Sequence, residues 1–349
     1  MLGKFYKTKL TLEKWENMRA LSKQFLKDLK SGSLSRLTKV VKHDETLSLE
    51  IRNNYINVYY RGGSLFRIES RKDYSISFDK KYLNHGVDCE FEPLDLSKFQ
   101  SIDDYIEGIV LFKREMDLWF SVHRKQEREY QQVISRENNF SMVSNDTDYF
   151  ICDIEYAKNE SIQKDDRVTK EGSRFDMVGI KWLSNSSDRR TNKSISLAIF
   201  EMKYGDGAMT GSAGIMKHFK DLDDFMSKGK HVELMDEAET QFNQKYYLGL
   251  IEVTRSKMEN EVEGMFKKIE INRNIKPEYI LIFANHKSKS AKLRRELRES
   301  TKAYPQLLDK VDIKIAQSSM MGYGLYANHM VDIIDFLGYE YRAIQHSNV

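Results

Sequence analysis

The sequence predicts an α/β protein, with a mixed sheet flanked by helices following a smaller N-terminal α+β module. Three observations carry this. From Tyr149 onward, short apolar runs of strand character alternate with helical patterns. Ile195–Tyr204 is the strongest strand signal in the chain. Residues 1–99 instead carry one helical pattern followed by closely spaced alternating runs. The 349 residues exceed the usual length of one domain, and the boundary is placed near Phe99, giving modules of 1–99 and 100–349.

In the first module, Trp15, Met18, Leu21, Phe25 and Leu29 recur at helical spacing, which predicts a helix over Thr11–Lys30. Leu47–Ile51, Tyr55–Tyr60, Leu65–Glu69 and Tyr74–Phe78 read as strands of a small antiparallel sheet, with Arg61-Gly62-Gly63-Ser64 as a turn. The second module is expected to open with one long helix over Ile102–Arg136, whose apolar stripe includes Ile106, Phe112, Met116 and Phe120. Strands follow at Tyr149–Glu155, Phe175–Trp182 and Ile195–Tyr204, the last two forming a hairpin across the polar loop Ser184–Lys193. A glycine-rich stretch, Gly205–Gly214, leads into a helix over Ile215–Met226. Two buried strands, Tyr279–Ala284 and Val311–Ile315, flank a basic helix over Lys289–Tyr304.

Composition excludes several classes. The chain is 40% hydrophobic and 31% charged, enough apolar material for a core and too much for a disordered chain. No run approaches the roughly 20 apolar residues that span a bilayer, and Met1–Lys14 lacks the apolar centre of a secretory signal. Cys89 and Cys152 make neither a disulfide framework nor a zinc knuckle, so a cytoplasmic compartment is expected. The eight histidines contain no HExxH, and Gly205–Gly214 lacks the Gly-Lys-Ser/Thr ending of a phosphate loop.

Chemistry concentrates on the predicted hairpin. Side chains alternate along a strand, so Glu201 and Lys203 in Leu197–Lys203 share a face. Asp176 is the one acid in the apolar run Phe175–Val178. If the hairpin closes around the middle of its loop, Asp176 stands opposite or nearly opposite Glu201. Two carboxylates beside an ammonium suit a hard divalent cation, Mg²⁺ or Mn²⁺, held by Asp176, Glu201 and the Met202 carbonyl. Lys203 then serves an attacking water or the charge that develops. An ordinary same-face ion pair of Glu201 and Lys203 is the alternative. Asp153 and Glu155, on the preceding strand, are further candidates for a ligand or a pairing role.

An acid on one strand followed by Glu-x-Lys on the next resembles the PD-(D/E)XK nuclease superfamily, over about Arg124–Phe225. The resemblance implies a restriction-endonuclease-like fold and magnesium-dependent hydrolysis of phosphodiester bonds, in DNA first of all. It implies catalytic roles for Asp176, Glu201 and Lys203, and for a helix-borne acid, Glu127 ahead of Glu129. It also implies polar residues near the site on the following helix, where Lys217 and His218 stand as candidates for nucleic-acid contact. Phe175 departs from the motif, occupying the position of its proline. Restriction, phage defence, repair and mobile-element processing are all compatible roles, and defence is the favoured one. The other reading is a non-catalytic nucleic-acid-binding or regulatory protein on the same scaffold. No membrane partner is expected, and a homo-oligomer stays open.

A second basic signal lies at residues 286–298. Lys292, Arg294 and Arg295 are candidates for nucleic-acid contact, although Glu296 and Glu299 among them also fit a solvated helix face.

Overall fold

Two compact units make up the chain, residues 1–136 with 240–251, and residues 137–239 with 252–349. The structure, a computed structural model, describes residues 18–88, 90–164, 167–211, 213–253, 268–284, 290–317 and 323–338, with side chains for all of these except 159–173, 206 and 317. Residues 11–17 of the expected first helix, Cys89 and the basic run 286–289 lie outside the described residues.

In the first unit, helix α1 (Lys23–Ser31) begins only after Ser22, whose hydroxyl accepts the N–H of Phe25 and caps it. Residues 18–22, expected to be helical, are not. Helix α2 (Ser35–His43) leads into an antiparallel meander of β1 (Leu47–Ile51), β2 (Tyr55–Tyr60), β3 (Gly63–Ser70) and β4 (Tyr74–Ser77). Tyr60 pairs with Gly63 across a two-residue turn, and Arg61 and Gly62 both have positive φ, at 50° and 71°. That is the mirror-image turn whose twist matches a hairpin. A Cβ at Gly62 would sit 2.3 Å from the carbonyl carbon of Arg128. Gly62→Ala is therefore expected to cost at least about 1–3 kcal/mol from left-handed strain alone, read as a lower denaturant midpoint.

The single helix expected over Ile102–Arg136 is instead three: α3 (Ile102–Glu107), α4 (Ile109–Val122) and α5 (Gln126–Asn139). Gly108 makes the first break, where the ring of Phe99 approaches so closely that a Cβ would lie 2.3 Å from it. At the second, His123 folds back to stack on Trp119 at 4.4 Å, and its Nδ1 lies 3.1 Å from the Trp119 carbonyl. Phe112 and Met116 of α4 are buried in one cluster with Phe25, Leu47, Ile56 and Phe66. The segment beyond Phe99, up to Arg136, thus belongs to the first unit rather than opening the second.

The second unit holds a six-stranded mixed sheet of β5 (Tyr149–Lys164), β6 (Arg167–Lys181), β7 (Ser196–Tyr204), β8 (Glu278–Ala284), β9 (Asp312–Gln317) and β10 (Met330–Asp332), ordered β10-β9-β8-β7-β6-β5. β5, β6 and β7 are antiparallel neighbours, while β7, β8 and β9 run parallel. β8 and nearly all of β7 are buried, as central strands covered on both faces must be. Helix α6 (Ile215–Ser227) buries Ile215, Phe219, Leu222 and Phe225, and packs against α8 (Ala291–Ala303). Between them in sequence lies α7 (Lys230–Leu248), a helix the sequence reading did not assign. Its buried Leu234, Met235, Ala238 and Phe242 nonetheless have helical spacing.

The α/β class and the mixed sheet are as expected. The loop joining β6 to β7 is less solvated than its polar composition suggests. Arg189 is buried there, donating to the carbonyls of Thr147 at 2.6 Å and Leu183 at 3.0 Å. Among the described residues no helix is long and apolar enough to cross a membrane.

Candidate active site

The register of the β6–β7 hairpin places the candidate residues. Its ladder runs from Lys181↔Ser196 to Met177↔Phe200, so the next position in register sets Asp176 against Glu201. There the two strands part. Instead of a backbone carbonyl, the carboxylate of Asp176 accepts the next N–H of β7, with Met202 N donating to Oδ2 at 2.7 Å. β6 continues along β5, where Ile154↔Met177 and Tyr156↔Phe175 bracket Glu155 and Asp176 in the same register. Glu155, Asp176 and Glu201 thus occupy one row across three neighbouring strands.

Alternation along β7 brings Glu201 and Lys203 side by side, as expected. Lys203 Nζ donates to Glu201 Oε1 at 2.7 Å, with the two residues 4% and 2% exposed. His218 completes the cluster from α6. Its Nε2 is 3.0 Å from Lys203 Nζ, from Glu201 Oε1 and from the Ala213 carbonyl oxygen. The glycine-rich connection makes this return possible. Gly205 and Gly211 have φ of 70° and 85°, and a Cβ at Gly214 would lie 2.6 Å from the Met209 carbonyl oxygen. Two left-handed glycines, Gly205 and Gly211, thus turn the chain between β7 and α6.

Charge is distributed unevenly over this cluster. Burial raises the pKa of Asp176 well above the usual carboxylate value, and the neighbouring Glu201 and Glu155 add to the rise; the Met202 N–H and Lys203 only partly oppose it. Glu201 moves the other way. Burial pushes it up, but the hydrogen bond and charge of His218, together with Lys203, outweigh this and hold it below the ordinary range. Tyr279, on β8, is pushed far up by burial first and then by the carboxylates of Glu201 and Asp176. Sequence reasoning missed this phenol, because nothing in the apolar run Tyr279–Ala284 marks it as a neighbour of acids.

Whether these residues suit a divalent cation is decided by their donors. The hydrogen bonds found among the described residues take one oxygen of each carboxylate, Oδ2 of Asp176 and Oε1 of Glu201. Mutual repulsion of the two acids is what a cation relieves. No three His, Cys, Asp or Glu side chains among the described residues gather as a metal-holding group. A cation here would rest on two carboxylates and its own waters, which is the ordinary way of holding Mg²⁺.

The remaining candidates are placed differently. Glu127 lies in the first turn of α5, in the first unit, and Glu129 is bound there to Arg61. Lys217 pairs with Asp221 on the exposed side of α6, whereas His218, expected to touch nucleic acid, sits on Glu201 and Lys203. Asp153 is fully buried and paired with Val178. Glu155, the other candidate on this strand, has a positive φ of 53° that breaks the regular strand.

On α8, Arg294 donates to the Phe336 carbonyl at 2.5 Å and stacks over that ring at 4.7 Å, so it serves packing. Arg295 is exposed beside Glu296. Neutralising Lys292 and Arg295 is expected to flatten the salt dependence of nucleic-acid binding. Arg294→Ala is expected to lower thermal stability instead. An unchanged salt slope would leave the helix as a solvated face. No protein-family model, curated protein or solved structure matches the chain.

Proposed function

We propose that the second unit is a divalent-cation-dependent nuclease of the PD-(D/E)XK type, on a restriction-endonuclease-like sheet, hydrolysing phosphodiester bonds in DNA. One observation supports this reading: Asp176, one position beyond the last hairpin pair, accepts the Met202 N–H on β7, between Glu201 and Lys203, whose side chains pair at 2.7 Å. Asp176 and Glu201 would hold Mg²⁺ or Mn²⁺, which when bound neutralises phosphate charge and makes water a better nucleophile at neutral pH. Lys203, fixed by Glu201 and His218, presents an ammonium where negative charge builds on the phosphate oxygens. His218 positions that ammonium.

A specific observation favours a second reading. Glu201 and Lys203 form a buried ion pair at 2.7 Å, which also fits a non-catalytic scaffold that binds nucleic acid. Cleavage of supercoiled DNA, linear DNA and single-stranded RNA, each with and without Mg²⁺ or Mn²⁺, separates the two. The nuclease reading expects metal-dependent cleavage of DNA. A folded protein that binds DNA and cuts none of these substrates with either cation supports the scaffold.

A further inference from the structure

In the first unit a recess of about 440 Å³ opens between the end of α4 and the start of α5, with Arg61, Asp117, Phe120, Arg124, Lys125 and Glu129 in its wall. Its two acids are already engaged. Arg61 donates from Nη1 to Asp117 at 2.9 Å and from Nε to Glu129 at 3.0 Å, and the Tyr60 hydroxyl donates to Asp117 at 3.0 Å. Arg124 and Lys125, by contrast, make no side-chain hydrogen bond or ion pair with any described residue, and both are exposed. Three cations against two acids leave the wall net positive.

The recess also meets the positive end of a helix. α5 opens at Gln126, itself part of the wall, and the N–H of Glu129 bonds the Lys125 carbonyl, which makes Lys125 the cap. A lysine has no side-chain acceptor for the N–H groups of the first turn. Two uncommitted cations and this helix end together favour a phosphate ester. The neighbouring carboxylates suit the hydroxyl and amine donors that a sugar and base add to a phosphate. Phe120, with the Arg61 guanidinium over its ring at 5.4 Å, adds an aromatic wall. The volume falls within the roughly 300–1,000 Å³ of small-molecule sites.

We propose that this recess binds a mononucleotide, with its phosphate at Arg124 and Lys125 and its sugar or base donors towards Asp117 and Glu129. The site lies wholly in the first unit and does not depend on the nuclease reading. Calorimetry on the full chain in EDTA tests it, because chelation keeps cation-dependent binding at Asp176 and Glu201 silent. The probes are adenosine and guanosine monophosphates, the matching nucleosides, inorganic phosphate and a short single-stranded oligonucleotide.

At least one monophosphate is expected to bind tenfold or more tightly than its nucleoside and than phosphate. The double variant Arg124→Ala, Lys125→Ala is expected to lose at least tenfold in affinity with an unchanged unfolding midpoint, since neither side chain has a partner to lose. The proposal is overturned by no binding of either monophosphate, by equal binding in the double variant, by phosphate binding as tightly as the nucleotide, or by binding of the oligonucleotide alone.

Discussion

Replacing Asp176 with Asn is expected to raise the unfolding temperature of the metal-free protein at neutral pH and to abolish its response to Mg²⁺. An Asn Oδ1 can still accept the Met202 N–H, so the local hydrogen bond survives while the charge goes. The sign follows from the raised pKa of Asp176, which burial causes first and Glu201 and Glu155 reinforce. An acid raised on folding contributes stability that is full below its unfolded value, about 3.9 for Asp, and lost as pH rises through the folded value. Wild type and variant should therefore unfold together in acid and separate as pH rises, with the variant higher. Each kcal/mol recovered is worth about 2–4 °C in a protein unit of this size.

Added Mg²⁺ should reverse the order. A ligand that binds only the folded state stabilises it by about 2.7 kcal/mol at a hundred times its Kd, and only wild type retains both carboxylates. Differential scanning calorimetry at several pH values, with and without Mg²⁺, measures both effects. A variant that unfolds at or below the wild-type temperature at neutral pH contradicts the cost of the buried Asp176 charge, and one that gains as much from Mg²⁺ removes Asp176 from the proposed cation site.

How much of this was legible in the sequence depended on how locally each feature is determined. The β6–β7 register was readable because two apolar runs flank one polar loop, and Asp176 and Glu201 stand at matching distances from it. The same-face placement of Glu201 and Lys203 follows from strand period alone. The breaks in the segment from Ile102 to Arg136 were not readable. Gly108 yields to a ring from Phe99, nine residues earlier, and His123 breaks the helix by stacking on Trp119. Periodicity says that a helix has an apolar face but not which core receives it, so α3 and α4 could not be assigned to the first unit. His218 was placed near the site by resemblance, but its position on Lys203 depends on the path of Gly205–Gly214. The positive φ of Glu155 has no sequence signature at all, since a strand-forming run surrounds it.

Breaking the Glu201–Lys203 pair is expected to have the largest effect of any single change. Both side chains are almost fully buried, and removing one partner of such a pair commonly costs about 3–5 kcal/mol because the other charge is stranded. Lys203→Ala should therefore unfold roughly 10 °C lower and cleave about 10²–10³ times more slowly. Glu201→Gln should be destabilised similarly at neutral pH. Its pH dependence has a definite sign: burial raises the Glu201 pKa, but His218 and Lys203 outweigh it and hold the value low. An acid depressed on folding contributes stability above its unfolded value that is lost as pH falls through the folded one. The gap between wild type and Glu201→Gln should therefore close in acid.

The double variant Glu201→Gln, Lys203→Met removes both charges and leaves side chains of similar length. Its stability should return towards wild type, since replacing a buried pair by neutral groups is often neutral or better. Under the proposed mechanism cleavage should stay lost, because the groups it assigns to the cation and the phosphate are gone. Thermal unfolding and Mg²⁺-dependent cleavage, measured on all three variants, separate the two readings of this pair. A double variant that regains stability and still cuts DNA at the wild-type rate would reduce Glu201 and Lys203 to an ion pair, and the nuclease mechanism with them.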